Sequence, residues 1–274
     1  MNLPDILSLE HHGPDTWMGR GPRYPWGGLY GGQIVAQALK AAAHTVPDRY
    51  KVNSLHAYFI RGGDQDAPVR YEVDRLRDGR SFATRAVVAR QAVGAILNLS
   101  ASFHAEEHET DEADVPMPAV PRPDTLADDT WSKAFDRRLV PSDEIGRESA
   151  WARASSALPD RHIDHAAAVA YLSDDFPTGA AVRLHPFARS HGGWQDGMFM
   201  TASLDHSIWF HRELAADGWH LHDVVCHQLR GARALTRGRV YDQAGNLCAT
   251  FAQEVLLRVS RTWLDRREPP DEMA

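Results

Sequence analysis

The sequence predicts an α+β protein in which one unit, a long helix followed by a meander of antiparallel strands, is built twice. Three observations carry this. The first is an internal repeat: Leu55-His56-Ala57-Tyr58-Phe59-Ile60-Arg61 answers His206-Ser207-Ile208-Trp209-Phe210-His211-Arg212, with Phe59 over Phe210 and Arg61 over Arg212 (210 − 59 = 212 − 61 = 151). Thr84-Arg85 likewise answers Thr236-Arg237, and Gln91 answers Gln243 (237 − 85 = 243 − 91 = 152). A period this long marks a duplicated domain, not a solenoid. The second is an apolar stripe of helical period, and the third is a series of strand-like runs punctuated by glycine turns.

Over 31–46, Ile34, Val35, Ala38, Leu39, Ala42 and Val46 recur at helical spacing, and Pro47-Asp48 ends the pattern. Strand-like runs follow near 51–61, 67–77, 81–92 and 95–104, separated by Gly62-Gly63-Asp64, Asp78-Gly79 and Gly94. Residues 1–105 therefore read as the first unit. The acidic, proline-rich stretch 106–130 is predicted to be a linker without a core of its own. Beyond it, Trp131 to Leu139 reads as a short helix, Arg147 to Ser155 as a strand and Asp164 to Asp174 as a second helix. Strand-like runs near 197–211, 219–230, 234–242 and 246–258 complete a second unit over 131–260. Residues 261–274 read as a loosely ordered tail. A long helix wrapped by a curved antiparallel sheet is the hotdog architecture, and two in one chain make a double hotdog. Pairing covers the sheet edge and the helix end that a single unit leaves bare.

The composition is that of a globular protein, 43% hydrophobic and 24% charged over 274 residues. A net charge of −7 argues against nucleic acid as a partner. No apolar run reaches membrane-spanning length, and Met1-Asn2-Leu3-Pro4-Asp5 has no signal-peptide character, so no membrane insertion is expected. The two cysteines, Cys226 and Cys248, lie in apolar strand-like segments and read as core residues of a cytoplasmic protein. The histidines are scattered, and H-E-x-x-H, C-x-x-C and EF-hand patterns are missing. His220-x-His222 shares a strand face with no carboxylate at ligand spacing and reads as a packed pair. No metal or organic cofactor is predicted.

Several strings in order give the chain a resemblance. They are Tyr30-Gly31-Gly32-Gln33 with Gln37-Ala38-Leu39, Ser54-Leu55-His56-Ala57-Tyr58-Phe59, Leu76-Arg77-Asp78-Gly79-Arg80-Ser81-Phe82, Ser203-Leu204-Asp205-His206-Ser207-Ile208-Trp209-Phe210-His211-Arg212, Gly231-Ala232-Arg233 and Gln253-Glu254. Together they resemble the acyl-CoA thioesterase II family of double-hotdog hydrolases. The resemblance implies hydrolysis of acyl-CoA thioesters to free fatty acid and CoA, and a homo-oligomer, dimer or tetramer. The family holds its attacking water between an aspartate, a glutamine and a serine or threonine. Carried over by the resemblance, the aspartate falls on Asp205, the glutamine on Gln253 and the third position on His227. The backbone amides of Gly31, Gly32 and Gln33, at a helix start, are the implied oxyanion donors, and His56 is a candidate for the acyl pocket.

The residues themselves speak to some of these roles. Alternation along 247–257 puts Leu247, Ala249, Phe251, Gln253, Val255 and Leu257 on one face, where Gln253 is the polar exception and needs partners. Asp205 shares its face with Ser203 and Ser207, which by period alone is a solvent face. His227 is open between three readings: a water ligand, the base itself, or a plug that impairs hydrolysis. Tyr24, Trp26 and Tyr30 read as a wall for the acyl chain or as core. Arg61, Arg77 and Arg85 read as surface charges or contacts for CoA phosphates. Copy over copy, Asp205 lies over Ser54 and Gln253 over Ser102 (205 − 54 = 253 − 102 = 151), so the acid and the amide belong to the second copy and the helix start to the first. Two alternatives to hydrolysis remain: an acyl-CoA-binding protein with weak turnover, or an enoyl-CoA hydratase or dehydratase using His227 with Asp205.

Overall fold

The computed structural model describes residues 1–107, 109–113 and 115–265. The first half opens with helix α1 (Leu3–Ile6) and strands β1 (Leu9–His11) and β2 (Thr16–Gly19). Helix α2 (Gly31–Ala43) follows, then β3 (Tyr50–Phe59), β4 (Val69–Asp78), β5 (Phe82–Gln91) and β6 (Gly94–Ala105). The second half comprises β7 (Phe135–Val140), β8 (Arg147–Ala154), α3 (His162–Ser173), α4 (Pro177–Leu184) and α5 (Pro186–Ser190). It ends with β9 (Phe199–Ser203), β10 (Asp205–Phe210), β11 (His220–Arg230), β12 (Arg233–Tyr241), β13 (Leu247–Val259) and α6 (Arg261–Asp265).

Among the described residues the strands form one antiparallel sheet in the order β1-β2-β4-β5-β6-β3-β10-β13-β12-β11-β8-β7, with β9 also paired to β13. The two copies meet at β3 and β10, where His56 stands opposite Ser207. These residues are repeat equivalents (207 − 56 = 151). Equivalent residues facing each other mark the axis of a local two-fold, so the duplication visible in the sequence is also the symmetry of the sheet. β-Bulges repeat too: among them, one between Arg75 and Arg77 on β4 has its equivalent between Cys226 and Gln228 on β11. Helices α2 and α3 pack against each other inside the wrapped sheet. Their buried faces, with the inward side chains of the strands, form one continuous core. This is the double hotdog.

Local structure departs from expectation in five places. Trp131 to Leu139 is no helix: Phe135–Val140 pairs with β8, because Phe135 and Val140 are buried against it. The run 197–211 breaks at Leu204 into β9 and β10, and the Leu204 N–H bonds Glu254 O while its carbonyl accepts from Phe59 N–H. Part of the proposed linker is packed: Met117, Val120 and Leu126 cover Val140, Trp151, Leu221 and Tyr241 on the outer face of the sheet. The Trp151 indole N–H donates to Pro121 O at 2.9 Å; an apolar outer face needs a cover, and proline-rich extended chain supplies one. The tail begins as a helix with Trp263 buried, and 266–274 lie outside the described residues. Finally, Arg85 is fully buried rather than at the surface, bonding Thr45 Oγ1 and the carbonyls of Thr45, Arg77 and Thr84, with Asp78 as its ion pair.

Candidate active site

The site forms where the start of α2 meets the end of α3. Gly31 and Gly32 open α2 with no side-chain cap, so the first-turn N–H groups lack intrahelical acceptors. One finds a partner across the copies: Gly32 N–H donates to Asp174 Oδ2 at 2.8 Å. Asp174 is the C-cap of α3. The glycines permit this approach. A Cβ on Gly31 would stand 2.6 Å from Asp174 Oδ2 and 3.0 Å from the Phe59 ring. One on Gly32 would overlap the Tyr171 carbonyl of α3.

The sheet completes the site. Ser203 Oγ donates to Asp174 Oδ1 at 2.8 Å, and Gln253 Nε2 donates to Ser203 Oγ at 2.8 Å. Gln253 Oε1 accepts from His206 Nδ1 at 2.5 Å, and Ser173 Oγ lies 2.8 Å from His206 Nε2. Ser173, His206 and Gln253 are fully buried and Asp174 nearly so. The break at Leu204 is what brings Ser203 and His206 together. Three positions apart on an unbroken strand they would face opposite sides of the sheet.

Burial raises the Asp174 carboxyl to about 7, against the opposing pull of hydrogen bonds from Ser203, Gln253 and Gly32. A carboxyl that titrates near neutrality can both take and return a proton. Burial lowers His206 to about 4, so its imidazole is neutral at ordinary pH.

The structure brings Gly31, Gly32, the backbone of Gln33 and Gln253 together and leaves Asp205, His227 and His56 elsewhere. Asp205 points away from the interior; its Oδ1 accepts the Glu254 N–H at 2.6 Å. His227 is the exposed extra residue of the β11 bulge, equivalent to exposed Leu76 in the β4 bulge (227 − 76 = 151). A bulge breaks the two-residue period, so the inward neighbour of Thr236 and Gln253 across the strands is Cys226. The Gln33 side chain joins a separate buried network, accepting from Tyr24 Oη at 2.8 Å and donating to Gln37 at 3.3 Å. His56 is exposed on the outer face, 3.1 Å from Ser207 Oγ and edge-on to Trp209. Tyr24 and Tyr30 are core, in an aromatic cluster with Trp26, Trp131 and Tyr171.

Asp174 and Ser203 were not among the residues expected from sequence. One signal was available: Asp174 ends the predicted second helix, just where a carboxylate across from Gly31-Gly32 is needed. Pairing register also shifts the copy alignment. Ser207 faces Ala252 while His56 faces Ser100, a spacing of 152 (252 − 100), so Gln253 lies over Ala101, not Ser102. Thr236 likewise lies over Arg85, not Thr84, so the first copy holds Ala101, Leu55 and Arg85 where the second holds Gln253, His206 and Thr236. Only one of the two symmetry-related places carries an acid, a hydroxyl and an amide.

A helix start facing a buried carboxylate, hydroxyl and amide on a duplicated hotdog defines a double-hotdog hydrolase. Family models agree: residues 20–104 match the acyl-CoA thioesterase N-terminal domain and 110–257 the C-terminal domain. The chain is 33% identical to acyl-coenzyme A thioesterase 8 of Homo sapiens, covering 93% of this chain and 88% of the relative. It is 32% identical to acyl-CoA thioesterase 2 of Haemophilus influenzae, covering 94% and 98% respectively. The crystal structure of an acyl-CoA thioesterase II from Mycobacterium marinum superposes with a TM-score of 0.82 at 35% identity, covering 94% of this chain and 98% of that one. The chain belongs to the acyl-CoA thioesterase family and is a thioester hydrolase.

Proposed function

We propose that the chain hydrolyses acyl-CoA thioesters with a water held between Asp174, Ser203 and Gln253. The observation that carries this is the convergence of these three side chains on the start of α2, with Asp174 directly bonded to Gly32 N–H. The thioester oxygen is received at the positive end of α2, where the N–H groups of Gly31 and Gln33 belong to the same first turn. Asp174 accepts a proton as the water oxygen bonds to the carbonyl carbon. The C–S bond then breaks, and the CoA sulfur leaves with that proton returned by Asp174. Ser203 and Gln253 orient the water and hold Asp174 as an acceptor. The alternative placement on Asp205 and His227 gains no support, because neither side chain faces Gln253.

Free-thiol release from acyl-CoAs of graded chain length tests the reading. Release by the wild type that is lost in Asp174→Asn and kept in Asp205→Asn supports it. Tight acyl-CoA binding without thiol release points instead to a binding protein, and hydration of an enoyl-CoA without thiol release to a hydratase. Size-exclusion chromatography with light scattering tests the dimer or tetramer proposed from the family resemblance.

A further inference from the structure

We propose that His206, held by Ser173, is a positioning residue that fixes the orientation of the Gln253 carboxamide; this rests on reading Asp174, Ser203 and Gln253 as the site. Proton supply sets the direction of each bond. In the ionised form that takes a proton from water, Asp174 only accepts, so the single hydroxyl proton of Ser203 goes to Asp174 Oδ1 at 2.8 Å. Ser203 Oγ must then accept from Gln253, which requires Nε2 to face Ser203 at 2.8 Å and Oε1 to face the imidazole. His206 Nδ1 therefore carries the ring proton, donated to Oε1 at 2.5 Å. The bare Nε2 accepts the Ser173 hydroxyl at 2.8 Å, a shorter contact than the alternative from Ser173 Oγ to Ala170 O at 3.3 Å.

The bonds run in one direction, Ser173 to His206 to Gln253 to Ser203 to Asp174, and the two ends are adjacent residues at the end of α3. The ring is closed, so a shift in one member displaces the others. A flipped carboxamide would set two acceptors against each other at Oε1 and Ser203 Oγ, and two donors at Nε2 and His206 Nδ1. The repeat shows that packing alone needs no imidazole here: the equivalent position in the first copy is fully buried Leu55 (206 − 55 = 151). A buried histidine in a place that leucine fills is a desolvation cost kept where the amide must be aimed.

The test is steady-state kinetics on purified full-length variants, with melting curves as a fold control. His206→Leu copies the first half's residue; it is expected to lower kcat about 10- to 100-fold with KM changed less than about twofold, as for a small misplacement of a reacting group. His206→Asn keeps an N–H near the Nδ1 position and is expected to recover most of that loss. Adding His206→Leu to Gln253→Ala is expected to change kcat by less than about twofold, because the histidine acts only through the amide. If His206→Leu fails to fold, Ser173→Ala, which frees the tautomer, carries the test with an expected loss in kcat of about tenfold. A folded His206→Leu within about twofold of wild-type kcat, equal losses for Leu and Asn, or multiplying losses in the double variant overturn the proposal. Full activity in Gln253→Ala overturns the site reading itself, a result separable from these.

Discussion

Asp174 accepts the backbone N–H of Gly32 at 2.8 Å, which joins the C-terminal end of α3 to the N-terminal end of α2. The bond crosses from one copy of the repeat to the other. It makes the acid proposed to react and the first turn of α2 a single unit, so neither copy alone holds the proposed site. It also sets the acid in a fully desolvated place, with the consequences that follow.

Asp174→Asn is expected to reduce kcat by about 10²- to 10³-fold, the scale of losing a positioned acid–base group. In the wild type kcat/KM should rise through a limb near pH 7 as the carboxyl ionises. The stability effect has the opposite sign. The folded carboxyl titrates about 7, above the ordinary aspartate value of 3.8, so its favourable contribution is complete below about 4 and lost as pH rises through 7. Melting curves from pH 4 to 8 should therefore show the variant gaining on the wild type as pH rises. A constant difference would contradict the burial described.

Gly31→Ala places a methyl 2.6 Å from Asp174 Oδ2 and is expected to abolish most activity while the protein still folds. Gly32→Ala meets backbone instead, at the Tyr171 carbonyl, and cannot be relieved by a side-chain rotation. It is expected to lower stability by about 1–3 kcal/mol, the usual cost of overpacking. Chemical denaturation of the two variants distinguishes them, with the larger loss in Gly32→Ala.

His227→Ala should leave kcat within about twofold of wild type, as surface substitutions away from a site do. Asp205→Asn weakens a charge-assisted bond to the Glu254 N–H. Burial also raises that carboxyl, which offsets the loss, so the variant is expected to shift stability by less than about 1 kcal/mol with turnover retained. Loss of turnover in either variant, with the fold intact, would return the chemistry to the residues that the resemblance suggested.

His220 and His222 are buried neutral beside each other, with ring centroids 5.0 Å apart. Among the described residues neither nitrogen of His222 meets a partner. Burial lowers His220 to about 4 and His222 well below the ordinary histidine value of 6.5. Their contribution is present above pH 6.5 and lost as pH falls, since the unfolded chain then binds protons that the folded one refuses. His222→Leu removes the orphaned nitrogens and should raise the denaturant midpoint, more at pH 5 than at pH 7.5, without changing turnover at neutral pH. An equal shift at both pH values would contradict this.

Part of the proposed site was legible in the sequence. Gln253 stood out as one amide on an apolar strand face, and Gly31-Gly32 as a helix start. Asp205 does not stand with Gln253, because its string is adjacent to the proposed site without facing it. His227 does not either, because the segment that aligns it with the family's third position contains a bulge. A one-residue irregularity reverses which side chains face inward, and the chain has two that matter here, the bulge at His227 and the break at Leu204. Neither carries a glycine or proline to announce it. Asp174 read as the last residue of a helix, with nothing local to say that Gly32 lay opposite.

By itself the sequence determined the duplication, the helix-then-meander order, the double hotdog and the inequality of the two copies. These rest on periodicity and on spacing between repeats, which are local or self-referential properties of the chain. Only the tertiary structure decided that Asp174 and Ser203, not Asp205 and His227, stand with Gln253. That choice depends on a strand break, a bulge and the approach of two helix ends, which are fixed by non-local packing across the two copies. Pairing register, not residue type, determines which polar side chains are buried together.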